Sequence, residues 1–145
     1  MILLLSDLEF SVKIIINMNM LIIDATNKKI FLMIIINNNI YSISHENSKI
    51  NYEKLTIFID DFLNSKSLKI NNIKRIYVNR GPGNFAGVRN SLSVVKAFFV
   101  TKKIDYYCYS IQDFKDEKDI RYENIASLCD KFKIKKNLIN PIYIG

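Results

Sequence analysis

Residues 77–93, YVNRGPGNFAGVRNSLS, hold three of the four glycines and one of the two prolines in the chain. No other stretch restricts the backbone so tightly. The segment before it, IKRIYVN, reads as a strand, and residues 85–101 read as a helix. The loop must therefore turn a strand into a helix within a few residues. Pro82 fixes its own φ and biases Gly81 toward an extended conformation. Gly83 supplies whatever angles the turn demands. Asn84 is a good helix N-cap, which starts the helix at Phe85 or Ala86. Ala86, Gly87 and Ser91 are small enough to let another backbone approach. Phe85, Val88, Leu92, Val95 and Phe99 recur at helical spacing and form the expected core stripe. Arg89 lies one turn in, where a cation gains nothing from the helix dipole, so an acid partner is expected, either Asp24 or one on another chain.

The loop also satisfies the loose dinucleotide pattern GxGxx(G/A) through Gly81, Gly83 and Ala86. Its context argues against that function. The acid that would hold a ribose belongs at the end of the next strand, whereas Asp105 stands at that strand's beginning. Pro82 removes a backbone N–H that a phosphate cradle would use. No Lys-Ser or Lys-Thr follows the glycines, so a P-loop is excluded. The residues that remain as candidates for a cofactor contact are Asp24, Gly81 and Gly83.

The rest of the pattern is a mixed α/β one. MLIID is a buried strand ending at Asp24, IFLMIII is a second, and IYSIS is a third. The asparagines at 37–39 supply a tight turn, because Asn tolerates positive φ. Such short connections imply a three-stranded antiparallel meander. Leu55, Phe58, Ile59, Phe62 and Leu63 predict an amphipathic helix over 51–65, with Asn51 as its cap. IDYYCYS is a fifth strand. Strand–helix–strand spacing from 73 to 110 implies a parallel crossover. Ile125, Leu128 and Phe132 suggest one short helix in the charged stretch 112–137, and LINPIYIG reads as strand-like.

Composition narrows the function classes. The chain has two cysteines and one histidine, His45, so neither a disulfide framework nor a standard zinc site is expected. Reduced thiols fit a cytoplasmic setting. No apolar run reaches the length of a membrane span. Residues 1–17 read as an extension or as the product of a misassigned start codon, with no signal-peptide pattern. The net charge of +7 has two readings. The 26 Ile, 17 Lys and 17 Asn suggest a drift toward AT-rich codons; the other reading is a polyanionic partner such as RNA or an acidic protein.

Three segments together carry a resemblance. NRGPGNFAGVRNSLSVVKAF, opening a helix, and MLIIDATNKKIFLMII, near the start, resemble the GRGPGSFTGVR loop and the IDT(A/S) strand of the TsaB (YeaZ) family. IDYYCYSIQDF and the terminal NPIYIG are similar to that family's later segments, and His45 matches its single early histidine. The likeness runs from about Met20 to Phe114, plus the last eight residues. Ala86, Asn84 and Ala25 depart from the family's usual Thr, Ser and Thr. The resemblance implies an actin-like ATPase (ribonuclease-H-like) fold. One lobe, 18–114, would hold a mixed five-stranded sheet with helices. The second lobe would be largely missing, with 115–145 as its remnant and tail.

The same resemblance implies a scaffold role. TsaB proteins pair with TsaD, a paralogue that holds the metal. With the ATPase TsaE they support threonylcarbamoyl transfer to the adenosine beside the tRNA anticodon. The chain itself would have no catalytic residues, no metal and no cofactor, with ATP and metal in the partner. It would meet tRNA indirectly, and a homodimer is the other pairing. The expected interface is the helix pair 51–65 and 85–101, through Leu55, Ile59, Phe62, Gly87, Ser91, Phe98, Phe99 and Ala97. The alternatives are a nucleotide-binding enzyme of this fold, using Asp24, and an accessory tRNA binder using the basic tail DKFKIKKN.

Overall fold

β1 (Met20–Asp24) is buried on both sides, which is why it reads as an uninterrupted apolar run. The computed structural model, which describes residues 18–143, places it at the centre of a five-stranded sheet ordered β3-β2-β1-β4-β5. The proposed extension, 1–17, lies outside the described residues. β2 (Lys29–Ile36) and β3 (Asn39–Glu46) continue β1 as an antiparallel meander, with Ile23 opposite Leu32 and Leu32 opposite Ile43. The turn between them uses Asn37 and Asn38, both at positive φ (47° and 71°). That two-residue geometry matches the twist of the flanking strands. β4 (Arg75–Asn79) and β5 (Asp105–Tyr109) add in parallel on the other side of β1. The meander and the parallel pair are therefore as the sequence predicts.

Each face of the sheet has its own core. On one face Leu21, Ile23, Ile30, Leu32, Ile76 and Val78 meet the helices before and after β4. On the other, Met20, Ile22, Met33, Ile35, Tyr77 and Tyr109 are covered by residues 114–134, including the short helix α4 (Ile125–Lys131). The first helical region is two helices, α1 (Lys49–Glu53) and α2 (Leu55–Ser65), rather than one helix over 51–65. The break falls at Lys54, whose N–H bonds back only three residues, to the Asn51 carbonyl at 3.1 Å. Asn51 is not the cap. The Ser48 hydroxyl accepts the Asn51 N–H, and the Asn51 amide donates to the Glu46 carbonyl. Residues 138–143 follow an irregular path, not a strand, while Lys136 forms an isolated antiparallel bridge with Tyr107 of β5.

α3 (Phe85–Lys102) starts where Asn84 caps it, its side chain accepting the Gly87 N–H at 3.0 Å. Its buried stripe is rotated from the predicted one. Gly87, Val88, Ser91, Leu92, Val95 and Phe98 face the core, while Phe85 and Phe99 are 53% and 36% exposed. The rotation follows from one contact. A Cβ on Gly87 would stand 2.0 Å from the Ala25 carbonyl oxygen. α3 thus turns its smallest residue toward the end of β1, and the neighbours of Gly87 on that helical face follow it inward. Leu55, Ile59, Phe62, Ser91 and Phe98 are likewise buried. Six of the eight residues expected to face a partner, Gly87 among them, hold the helices on this chain's own sheet instead, while Ala97 and Phe99 stay exposed. Fully burying each large apolar one contributes about 1.5–3 kcal/mol.

Gly87→Ala is expected to cost at least about 2 kcal/mol, because backbone opposes the new methyl and overpacking of this kind costs roughly 1–3 kcal/mol or more. Ser93→Ala, on the exposed side of the same helix, should change stability by less than about 0.5 kcal/mol. Urea denaturation of both variants checks this; equal midpoints would show that α3 does not depend on the close approach.

Candidate functional site

At the C-terminal ends of β1, β4 and β5 a cleft of about 600 Å³ opens between the glycine loop and the segment that precedes α4. Asp24, Thr26, Asn79, Gly81, Ser110 and Tyr122 are among the residues that line it. In sheets with parallel strands, this is the end at which ligands bind. Asp24 closes β1 and is 4% exposed. Its Oδ1 accepts the Thr26 N–H at 3.0 Å and the Thr26 hydroxyl at 2.6 Å. Its Oδ2 accepts the Asn79 amide at 3.1 Å and the Tyr122 hydroxyl at 2.8 Å. A carboxylate has about four acceptor sites, and all four are used here.

Three of the loop's N–H groups are also committed. The Arg80 N–H bonds to the Tyr109 carbonyl at 2.7 Å, and the Gly81 N–H to the Asn79 side-chain oxygen at 2.9 Å. The Asn84 N–H bonds to the Thr26 carbonyl at 3.0 Å, and Pro82 has none to offer. Gly81, at φ +106°, approaches the C-terminal segment so closely that a Cβ would fall 2.0 Å from the Ile142 carbonyl oxygen. Gly83 packs just as tightly on Thr26. The Arg80 guanidinium is held by Asp113 at 2.7 Å and by the Asn140 carbonyl at 3.0 Å. Arg121, at the cleft's rim, pairs with Asp119. So arranged, Asp24 and the Gly81 N–H have no hydrogen-bonding capacity left for a nucleotide phosphate or its metal. The loop joins β1, β5, α3 and the C-terminal segment into one unit.

The remaining sequence candidates lie apart from this cleft. His45 sits on β3 and stacks on Phe58 of α2, with ring centroids 3.9 Å apart. Arg89 is exposed and, among the described residues, pairs with no acid. Its expected partner Asp24 is already occupied and points to the opposite face of the sheet. Cys108 and Cys129 are buried free thiols, and no three of His, Cys, Asp and Glu among the described residues gather as a metal-binding set. Sequence reasoning missed Asn79 and Tyr122. Asn79 could have been suspected, as a polar residue ending an apolar strand. Tyr122 is 98 residues from Asp24 and carries no local signal.

Burial dominates the titration of this region. It pushes the Tyr122 phenol upward, with the Asp24 charge adding to the effect. Tyr109 moves in the same direction for the same two reasons, and burial pushes Tyr77 and the Cys108 thiol up to about 12. These groups are neutral in the folded chain over a range where the unfolded chain ionises them. Their contribution is therefore fully present below the unfolded values, about 8.5 for Cys and 10 for Tyr. It is lost as pH rises beyond those values toward the folded ones. Urea midpoints are expected to be flat from pH 7 to about 8.5 and to fall steeply by pH 11. Tyrosine absorbance near 295 nm should rise together with unfolding; phenols that all titrate near pH 10 in a still-folded chain would contradict this. Tyr122→Phe leaves Asp24 short of one donor and should cost about 1–3 kcal/mol at pH 7.

By sequence the chain matches no protein-family model and no curated protein. Its fold does match solved structures. YeaZ from Pseudomonas aeruginosa superposes with a TM-score of 0.60 at 19% identity, over 64% of this chain and 44% of that one. A second structure, of an uncharacterized protein with similarity to peptidase YeaZ from Pseudomonas aeruginosa, gives the same score and identity over 64% and 43%. The chain spans less than half the length of either protein. Across the matched part, a mixed five-stranded sheet with flanking helices, this chain has the fold of YeaZ.

Proposed function

We propose that the chain is a non-catalytic scaffold subunit that binds a TsaD-like paralogue and, with a TsaE-like ATPase, supports threonylcarbamoyl transfer to the adenosine beside the tRNA anticodon. The observation that carries this reading is the fold likeness to YeaZ, joined to a glycine loop of that family's pattern at the start of α3. The committed hydrogen bonds of Asp24 and of the loop favour a structural role over a nucleotide-binding one. The reading places the protein in the cytoplasm; among the described residues no helix is long and apolar enough to cross a membrane.

The partner face moves from the buried side chains to the outer surface of the same helices. Ile50, Ile57 and Val100 are 64%, 56% and 68% exposed there. The same helices form a groove of about 310 Å³, with Glu53, Thr56, Asn90, Ser93, Ala97 and Thr101 among its lining. Small and short side chains in such a groove allow a partner helix to pack closely. Apolar exposure beside it is the kind of patch that a partner covers. Ile57→Glu and Val100→Glu are expected to abolish co-purification with the TsaD-like protein of the same organism. The folded chain should keep its stability within about 0.5 kcal/mol, since both sites are exposed. Undiminished binding by both variants would place the interface elsewhere.

A further inference from the structure

The end of the sheet opposite the cleft concentrates positive charge. Lys74 and Arg75 lie there at the start of β4, and Lys102 and its C-cap Lys103 at the end of α3. The chain after α4 brings in Lys133 and Lys136, through the bridge to β5 at Tyr107. The acids at this end are Asp105, 3.7 Å from Lys136, and Asp130. Cations at a helix C-terminus are stabilised by the dipole, which accounts for Lys102 and Lys103. Lys133 lies just past the C-terminus of α4 in the same way, whereas Arg75 and Lys136 stand at no helix end.

Those three line a groove of about 250 Å³ with Asp130 and two tyrosines. Tyr77 and Tyr107 stack with centroids 5.0 Å apart, and the Arg75 guanidinium lies 5.5 Å from the Tyr107 ring centre. Arg75 also donates to the Tyr77 hydroxyl at 3.4 Å, which ties the guanidinium to the buried side of the groove. Tyr107 is half-buried. Three cations, offset in part by Asp130 and by the Lys136–Asp105 pair, with the Tyr107 phenol and an aromatic edge in one narrow groove, match a phosphodiester beside a base. An acidic peptide would use the cations but not the aromatic surface. A duplex would keep its base faces stacked and out of reach, whereas an unpaired base can use an aromatic side chain and strand backbones follow cationic grooves.

We propose that this groove binds the backbone of a single nucleic-acid strand, with Arg75, Lys133 and Lys136 contacting phosphates and Tyr107 meeting an unpaired base. The site is remote from the outer helix groove, and the contact is made by this chain itself. It stands or falls separately from the scaffold role.

The test uses the full chain alone and a fluorescein-labelled 12-mer of uridine, read by fluorescence anisotropy over a salt series. Each single-strand phosphate contact contributes about 0.7 to the slope of log K against log salt, so Lys133→Gln/Lys136→Gln should reduce the slope by about 1.4. Its affinity at low salt should fall roughly tenfold. Lys28→Gln/Lys29→Gln removes the same charge from the turn between β1 and β2, at the sheet's other end, and should leave both quantities unchanged. No anisotropy change for the unaltered chain at low salt would overturn the proposal. So would equal losses in the two variants, since net charge alone would then explain binding. Displacement of the oligomer by polyglutamate at equal charge concentration would assign the groove to an acidic protein, and would also overturn it.

Discussion

The contact of α3 with the end of β1 organises the rest of the molecule. Gly87 lies against the Ala25 carbonyl and Gly83 against Thr26, at distances that no side chain would permit. The Asn84 N–H completes the junction by bonding to the Thr26 carbonyl. With the helix start so placed, the direction of α3 over the sheet is set. Val88, Leu92 and Val95 must then fill the space above β1 and β4, and β5 must return in parallel beside β4. The same junction positions Thr26, whose hydroxyl and N–H hold Asp24. A loop that looks like a phosphate cradle thus acts as a joint between backbones, with the Arg80, Gly81 and Asn84 N–H groups bonded internally.

The joint has a second layer. Arg80 leaves β4 with its N–H on β5, its carbonyl on Ile142 and its guanidinium on Asp113 and Asn140. Phe85, exposed at the start of α3, has Tyr143 beside it, with centroids 4.6 Å apart. The C-terminal segment has no regular structure, yet it is tied to the loop by polar and aromatic contacts. Chain polarity also divides the electrostatics. Asp24 and the Arg80–Asp113 pair gather at the C-terminal ends of the parallel strands, where hydrogen bonds and an ion pair satisfy them. The N-terminal ends collect lysines that remain at the surface.

Much of this was legible locally. Alternation and turn chemistry disclosed five strands, because Asn37 and Asn38 can take positive φ while the apolar runs on either side cannot stay in water. Asn84 announced the helix start, because its side chain supplies the acceptor that the first free N–H groups need. The break at Lys54 was not legible, since the apolar spacing continues across it. The facing of α3 was misread because Phe85 and Phe99 look like core residues; their burial depends on where Gly87 must point. The partner residues were misjudged for the same reason. Leu55, Ile59, Phe62 and Phe98 seem a surplus only until the depth of the helix–sheet layer is known.

What the sequence by itself determined is the menu of elements and their order: a meander, a crossover helix pair and a glycine joint whose residues allow close backbone approach. Propensity, capping and steric permission act between residues a few positions apart, so a single chain displays them. Tertiary structure alone decided what Asp24 does. Its fate rests on Asn79 and on Tyr122, 98 residues away, whose arrival uses up the acceptor capacity that a ligand would need. It also decided which side of each helix stays exposed. Both outcomes follow from packing between distant segments, and such packing obeys the geometry of the sheet rather than any local pattern.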